Sequence, residues 1–135
     1  MKLLALLLFA ATHQATLYYQ NSSCTNHNPC TIQVWRAVCS SPTSCPYFVM
    51  GNPIWTRVTT GGGSASASGN KTTWVVYDQD PTLQDNTTYE YCATNTYHSA
   101  PSVYSACSPL WHGTTSGGNS NAPDSPSNST GNSVQ

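Results

Sequence analysis

The sequence contains very few charged residues for its length. Among its 135 residues, four are Lys or Arg and five are Asp or Glu, which gives 7% charged residues and a formal net charge of −1. Ordinary globular proteins carry roughly 25%. Nucleic acids are bound through clusters of basic side chains, and anionic membrane surfaces attract polybasic segments. The scarcity of Lys and Arg therefore excludes nucleic acid as a partner and argues against an anionic membrane surface.

Long hydrophobic runs are also lacking, because a transmembrane helix needs about 20 apolar residues. The apolar stretch at residues 3–11 is shorter and follows one positive charge at Lys2, a pattern typical of a signal peptide. We therefore predict that residues 1–15 form a leader and that the mature chain has no membrane span. The alternative is that residues 3–9 are retained and pack as an edge strand.

Sequence signatures of common enzymes are missing as well. There is no G-x-S-x-G elbow and no C-x-x-C redox pair. Asp78 and Asp80 lie two residues apart on one predicted strand and point the same way, whereas glycoside hydrolysis needs carboxylates that face each other across a cleft. Calcium needs six to eight oxygen ligands, and Asp85 is the only nearby addition. We therefore expect no enzyme activity.

Six cysteines in a short chain favour an oxidising compartment, and so a secreted or extracellular protein. Fifteen pairings are possible. We favour Cys24–Cys30 and Cys39–Cys45, because each pair closes a small loop around an Asn-Pro or Ser-Pro turn. We favour Cys92–Cys107 because a hairpin centred between residues 99 and 100 places those two cysteines opposite each other.

Zinc is the competing interpretation for the first pair, since Cys24, His27 and Cys30 form a C-x2-H-x2-C pattern. Structural zinc sites need four ligands, usually from two paired knuckles. The second knuckle is missing here, because no histidine lies between Cys39 and Cys45. Disulfides are therefore the preferred interpretation, and we expect no metal and no cofactor. We assign no role to the histidines, His13, His27, His98 and His112.

Strands are predicted at residues 16–19, 31–38, 47–50, 54–59 and 74–77. Residues 31–38 and 54–59 alternate apolar and polar side chains, and residues 74–77 form the compact apolar run of a buried strand. Residues 61–70, GGGSASASGN, are predicted to be a flexible loop because they cannot supply core side chains. No amphipathic helix of useful length occurs. The predicted fold class is therefore all-β.

Residues 80–110 carry the pattern around which the chain is organised. Leu83 precedes a polar corner, and Tyr89 and Tyr91 then alternate with polar residues as in a strand with one buried face. A tyrosine just after such a corner can bury its ring and hydrogen-bond its hydroxyl to the upstream backbone. A turn-like segment and a second extended run at residues 103–107 complete a predicted hairpin.

This stretch resembles the last three strands of a fibronectin type III domain. The matching residues are Leu83, Asp85-Asn86, the run TTYEYCA at residues 87–93, Pro101-Ser102 and Tyr104-Ser105. Upstream, residues 13–19 (HQATLYY) look like the family's second strand, and residues 32–36 (IQVWR) look like its third strand in bacterial and phage members. The resemblance covers about 95 residues, close to the roughly 100 of such domains. It implies an immunoglobulin-like Greek-key sandwich, in which Asp80 caps the corner before Leu83 as the family's aspartate does.

The sandwich is predicted to span residues 16–111. From His112 onward the chain is rich in Ser, Gly, Asn, Pro and Thr, so residues 112–135 are predicted to be a disordered tail or linker. N-x-S/T sequons begin at Asn21, Asn70, Asn86 and Asn128. In so Asn- and Thr-rich a chain several arise by chance, and they matter only in a eukaryotic secretory pathway.

The aromatic residues suggest a binding surface. By alternation Trp35 and Trp55 lie on the polar side of their strands, and together with Trp111 they are candidates for an exposed strip that stacks on sugars or on a protein. The alternative is that they fill the core. The resemblance implies a non-enzymatic extracellular module of adhesion, spacer or surface-decoration type, on a cell or a virion. A carbohydrate-binding module that uses the exposed tryptophans is the alternative function.

Overall fold

The computed structural model describes residues 13–117 and 133–134, and its regular elements are all β-strands. In chain order these are β1 (Ala15–Asn21), β2 (Cys30–Val38), β3 (Thr56–Arg57), β4 (Gly63–Ala67), β5 (Thr72–Asp78), β6 (Thr88–Tyr97), β7 (Ser108–Thr114) and β8 (Ser133–Val134). None of the described residues belongs to a helix long and apolar enough to cross a membrane.

The strands form two antiparallel sheets that pack as a sandwich. One sheet has the order β4-β5-β1-β8, and the other has the order β3-β2-β6-β7. β1 pairs with β5 along its whole length, from Ala15 opposite Asp78 to Asn21 opposite Thr72. β2 pairs with β6 in the same way. The structure confirms the predicted all-β class.

The core lies between the sheets and contains inward-facing side chains from both. Alternate residues of a strand point to opposite faces, so every second residue of β1, β2 and β6 enters this core. Its buried members are Ala15, Leu17, Val34, Leu83, Tyr89, Tyr91, Ala93, Leu110 and Trp111.

The corner before β6 has the predicted geometry. The Gln84 N–H donates a hydrogen bond of 2.8 Å to the Tyr89 hydroxyl, and the Tyr89 ring is buried in the core. Asp80 caps the corner as predicted, because its carboxylate accepts hydrogen bonds from the Thr82 N–H (2.9 Å) and hydroxyl (2.7 Å). Its carbonyl accepts a bond from the Leu83 N–H.

All three favoured disulfides are present. Cys24–Cys30, Cys39–Cys45 and Cys92–Cys107 have Cα–Cα distances of 5.4, 4.3 and 5.4 Å. The hairpin that carries the third differs from the prediction, since Cys92 lies opposite Pro109 rather than Cys107, with a bulge after Tyr91.

Residues 103–107 do not form the predicted strand, because β6 runs on to Tyr97 and β7 begins only at Ser108. Ser105 instead bonds to Asn95, with its N–H donating to the Asn95 carbonyl and its hydroxyl accepting from the Asn95 N–H. Both distances are 2.9 Å.

Four strand predictions were confirmed, at β1, β2, β5 and β6. Residues 47–50 form no strand, and the predicted strand at residues 54–59 shortens to Thr56–Arg57. The predicted loop at residues 61–70 is wrong, since Gly63–Ala67 form β4 and pair with β5. Gly63 permits this pairing, because a Cβ there would lie 2.4 Å from the Val75 carbonyl oxygen.

The ordered domain extends past the predicted boundary at His112. β7 continues to Thr114, and Thr115 is 2% exposed. The Thr115 hydroxyl donates to the Gln84 carbonyl and accepts a bond from the Thr87 N–H, so this segment is tied to the corner.

At the other end of the chain, His13 is buried and lies 2.5 Å from the Asp85 carboxylate, and Ala15 is fully buried. A leader that ended after Ala15 would thus remove a core residue. Residues 1–12 of the predicted leader, and residues 118–132 and 135 of the predicted tail, lie outside the described residues.

Candidate interaction surface

Trp35, Trp55 and Trp111 do not form the predicted exposed strip, because each of them packs against neighbouring side chains. Trp111 is 0% exposed, because its position on β7 directs the ring into the core against Tyr91. Gly113 leaves room for that ring, since a Cβ there would lie 2.6 Å from it. Trp55 is 6% exposed and Trp35 is partly buried.

Trp35 and Trp55 belong instead to a small second core on the outer face of the sheet that contains β2 and β6. The Phe48 ring lies between them, with centroid distances of 5.3 Å to each. We call Trp35, Phe48 and Trp55 the aromatic cluster. Their polar atoms are satisfied, because Trp35 Nε1–H donates to the Thr94 hydroxyl and Trp55 Nε1–H to the Tyr47 carbonyl, both at 3.0 Å.

The segment that covers this cluster exposes several large apolar side chains. We call residues 47–54 the apolar loop. Tyr47 is 92% exposed, Val49 57%, Met50 42% and Ile54 53%. Isolated exposed apolar residues are ordinary, whereas contiguous apolar patches are typical of interaction surfaces, so this segment is the candidate surface.

The apolar loop is held in one conformation by its own hydrogen bonds. Asn52 N–H donates to the Val49 carbonyl, Trp55 N–H donates to the Asn52 carbonyl, and Ile54 N–H donates to Asn52 Oδ1, at 3.0 to 3.1 Å. Gly51 has a φ of +85°, a conformation that glycine adopts without steric cost. An exposed surface ordered in this way loses little conformational entropy when it binds.

A cleft of about 660 Å³ lies next to the apolar loop, and Tyr47, Glu90 and His112 are among the residues that line it. Glu90 on β6 and His112 on β7 are directly paired residues. Burial raises the pKa of Glu90, and the neighbouring His112 opposes this rise. Within residues 13–117, Glu90 Oε2 is buried and receives no hydrogen bond.

Two groups of Cys and His residues could be considered as metal ligands, and in each group the cysteines are joined by a disulfide. The structure brings donor atoms of Cys39, Cys45 and His112 within 4.8 Å of one another, but the two sulfurs are bonded to each other. In the C-x2-H-x2-C pattern, Cys24 and Cys30 are joined in the same way and His27 is exposed.

A buried ionic network joins the sheets, and it was not predicted from the sequence. Asp78 is 0% exposed and Arg36 is 7% exposed. Arg36 Nη1 donates to Asp78 Oδ2, and Arg36 Nη2 donates to Asp80 at 2.9 Å. The hydroxyls of Tyr91 and Thr60 also donate to Asp78, at 2.7 and 3.1 Å.

The pKa shifts in this network favour a charged Arg36, a charged Asp80 and a neutral Tyr91. Burial alone lowers the pKa of Arg36, but the charge of Asp78 and the hydrogen bonds to both aspartates outweigh it, so the pKa is raised. Hydrogen bonds from Thr82, with a smaller effect of Arg36, lower the pKa of Asp80 to about 2. Burial and the Asp78 charge raise the pKa of Tyr91 well above its usual value, so Tyr91 remains a donor. Arg36, Asp78, Asp80 and Tyr91 thus direct polar atoms at one another within the network.

An apolar groove of about 410 Å³ is lined by residues of β4 and β5, of β2 and of the segment after β3. Its apolar lining includes Ile32, Val58, Trp74 and Val76. Trp74 is 6% exposed and packs on Tyr19 with a centroid distance of 5.3 Å, so it is not available as a free aromatic face.

These features define a disulfide-braced, all-β sandwich with an apolar loop on one outer face. Its three disulfides indicate an oxidising, extracellular environment. Comparison with protein-family models, with curated proteins and with solved structures found no match.

Proposed function

We propose that this protein is a non-enzymatic extracellular interaction module that binds a partner protein through its apolar loop. The observation that carries the proposal is the exposure of Tyr47, Val49, Met50 and Ile54 on one hydrogen-bonded segment. Interface centres are enriched in aromatic residues and Met, and depleted in charged residues. The apolar loop contains no charged residue, so it matches this composition.

We further propose that the domain is of the fibronectin type III kind and serves in adhesion, as a spacer or in surface decoration on a cell or virion. The two antiparallel sheets, the Tyr89 corner and the pairing of β2, β6 and β7 support this assignment. A fold alone carries no specific ligand, so the binding proposal rests on the loop.

The experiment compares two matched double variants. The immobilised chain is used to capture partners from its native extracellular fluid, alongside Tyr47→Ser with Ile54→Ser, and Val103→Ser with Tyr104→Ser. All four residues are exposed, and only the first pair lies in the apolar loop. Capture lost by the loop variant and kept by the control supports the proposal. Equal capture by both variants, or no partner for the unmodified chain, contradicts it.

Glycan binding is the second candidate function, and one observation favours it. The exposed Tyr47 ring borders a cleft that also contains the carboxylate of Glu90 and the hydroxyls of Thr43 and Ser44. An aromatic face beside hydrogen-bonding groups can hold a sugar ring. Trp55 Nε1–H donates to the Tyr47 carbonyl. The fluorescence of Trp55 is therefore expected to change when a saccharide binds at Tyr47. No change across a broad panel of polysaccharides would exclude this candidate.

A further inference from the structure

Two of the three sequons in the described residues, those at Asn21 and Asn70, differ in how their asparagines are held. Asn70 lies in the exposed turn between β4 and β5, where its Oδ1 accepts a bond of 2.8 Å from the Ser68 hydroxyl. Asn21 is partly buried, and its Nδ2 donates to the Tyr19 hydroxyl at 3.0 Å and to Asn95 Oδ1 at 3.4 Å. A substituent on Nδ2 is therefore compatible with the fold at Asn70 but would disrupt bonds at Asn21.

The turn that holds Asn70 adjoins an unprotected sheet edge. In the other sheet, the edge strand β3 has two residues and ends in Arg57, and the edge strand β7 contains Pro109. Short length, charge and proline are features that keep edge strands from pairing with other chains. β4 has five residues, all exposed, with neither charge nor proline.

The open edge of β4 presents hydrogen-bonding groups to solvent. The Tyr77 N–H donates to the Gly62 carbonyl, so the hydrogen-bonded pairs with β5 involve residues 62, 64 and 66. The backbone groups of Gly63, Ala65 and Ala67 consequently point away from β5. With a net charge of −1, repulsion between copies does little to prevent association through this edge.

We infer that Asn70 carries an N-linked glycan, and that this glycan shields the β4 edge. The inference requires passage through a eukaryotic secretory pathway, with which the three disulfides are consistent. In the transfer, Asn70 Nδ2 forms a bond to C1 of an oligosaccharide supplied by a lipid-linked diphosphate donor. The bond from C1 to the diphosphate oxygen breaks, the lipid diphosphate leaves, and one Nδ2 proton is released to a base.

The folded structure also constrains when this transfer occurs. Thr72 supplies the hydroxyl of the Asn70 sequon, is 5% exposed, and donates a bond of 2.7 Å to the Cys24 carbonyl. A transferase that must engage this hydroxyl cannot reach it in the folded domain. Modification therefore precedes the docking of the Cys24–Cys30 loop, and the purified, folded, unmodified chain is not a substrate.

Site mapping tests the inference directly. The full chain is secreted from a eukaryotic cell, and the glycans are released by an amidase in heavy-oxygen water, which converts each occupied Asn into labelled Asp. We expect label at Asn70, none at Asn21, and loss of one glycan mass in Asn70→Gln but not in Asn21→Gln. An unlabelled Asn70, or a labelled Asn21 in the secreted folded chain, overturns the assignment.

Association measurements test the shielding role. The apparent mass of Asn70→Gln is expected to rise towards twice the monomer mass with concentration, while the glycosylated chain stays monomeric. Adding Ala65→Lys should restore the monomer, because it places a charge on the same exposed edge. An Asn70→Gln chain that stays monomeric overturns shielding.

Discussion

Arg36 on β2 and Asp78 on β5 form a buried ion pair that joins the two sheets of the sandwich. A buried ion pair adds little to stability overall, since desolvation offsets the attraction between its charges. Removing only one of the two charged side chains is costly, however, because the remaining charge is left buried without its partner. The pair therefore makes correct packing of the sheets depend on both residues.

Replacing Asp78 alone should destabilise the fold strongly. We expect Asp78→Ala to lower the free energy of unfolding by about 3–5 kcal/mol, because Arg36 keeps its burial and loses its main counter-charge. Urea unfolding measures this change. The double variant Asp78→Leu with Arg36→Met removes both charges and should recover most of the loss. A single variant as stable as the unmodified chain would contradict the structural role of the pair.

Asp80 should make stability depend on acid pH. Its folded-state pKa of about 2 lies below the ordinary value of about 3.9. A lowered carboxyl pKa contributes stability that is complete above the unfolded-state value and is lost as the pH falls through the folded-state value. The stability difference between the unmodified chain and Asp80→Asn should therefore shrink as the pH falls from about 4 to about 2. A pH-independent difference would be inconsistent with this assignment.

Glu90 should have the opposite effect. Burial raises its pKa, so the folded state favours the protonated form and is penalised when the carboxyl ionises. The stability of the fold therefore decreases as the pH rises past the Glu90 pKa of the unfolded state, and it stays lower above the Glu90 pKa of the folded state. Glu90→Gln should accordingly raise the thermal midpoint at neutral pH and leave it unchanged in acid. A lower midpoint at neutral pH would refute this.

Gly113 should not tolerate a side chain. A Cβ at this position would lie 2.6 Å from the buried Trp111 ring, so Gly113→Ala is expected to cost about 1–3 kcal/mol through overpacking. Gly69→Ala is the control, since no atom lies within 4 Å of a Cβ there. Equal midpoints for the two variants in chemical denaturation would argue against the packing described for β7.

Local chemistry explains which parts of the fold were predictable. The Tyr89 corner and the Cys24–Cys30 and Cys39–Cys45 loops involve residues close in sequence, so spacing carries the information. β4 was missed because a Gly-Ser-Ala run has no side-chain pattern, and its pairing rests on backbone groups and the fit of Gly63 against β5.

The candidate surface was harder to predict because it depends on contacts distant in sequence. Alternation placed Trp35 on the outer face, but nothing in its own strand indicates that Phe48 folds over it. Arg36 offered a usable signal, since it falls on the same face as Val34 and an inward charge needs a partner. The partner Asp78 lies 42 residues away and is identified only by the packing of the sheets.

The affinity of two tyrosine variants tests the central claim most directly. Tyr47 and Tyr104 are both exposed, and only Tyr47 lies in the apolar loop. Against the protein captured by the unmodified chain, Tyr47→Ala is expected to weaken binding about 30-fold, as for an interface residue worth about 2 kcal/mol, and Tyr104→Ala less than about twofold. Unchanged affinity for Tyr47→Ala, or a larger loss for Tyr104→Ala, would contradict the account.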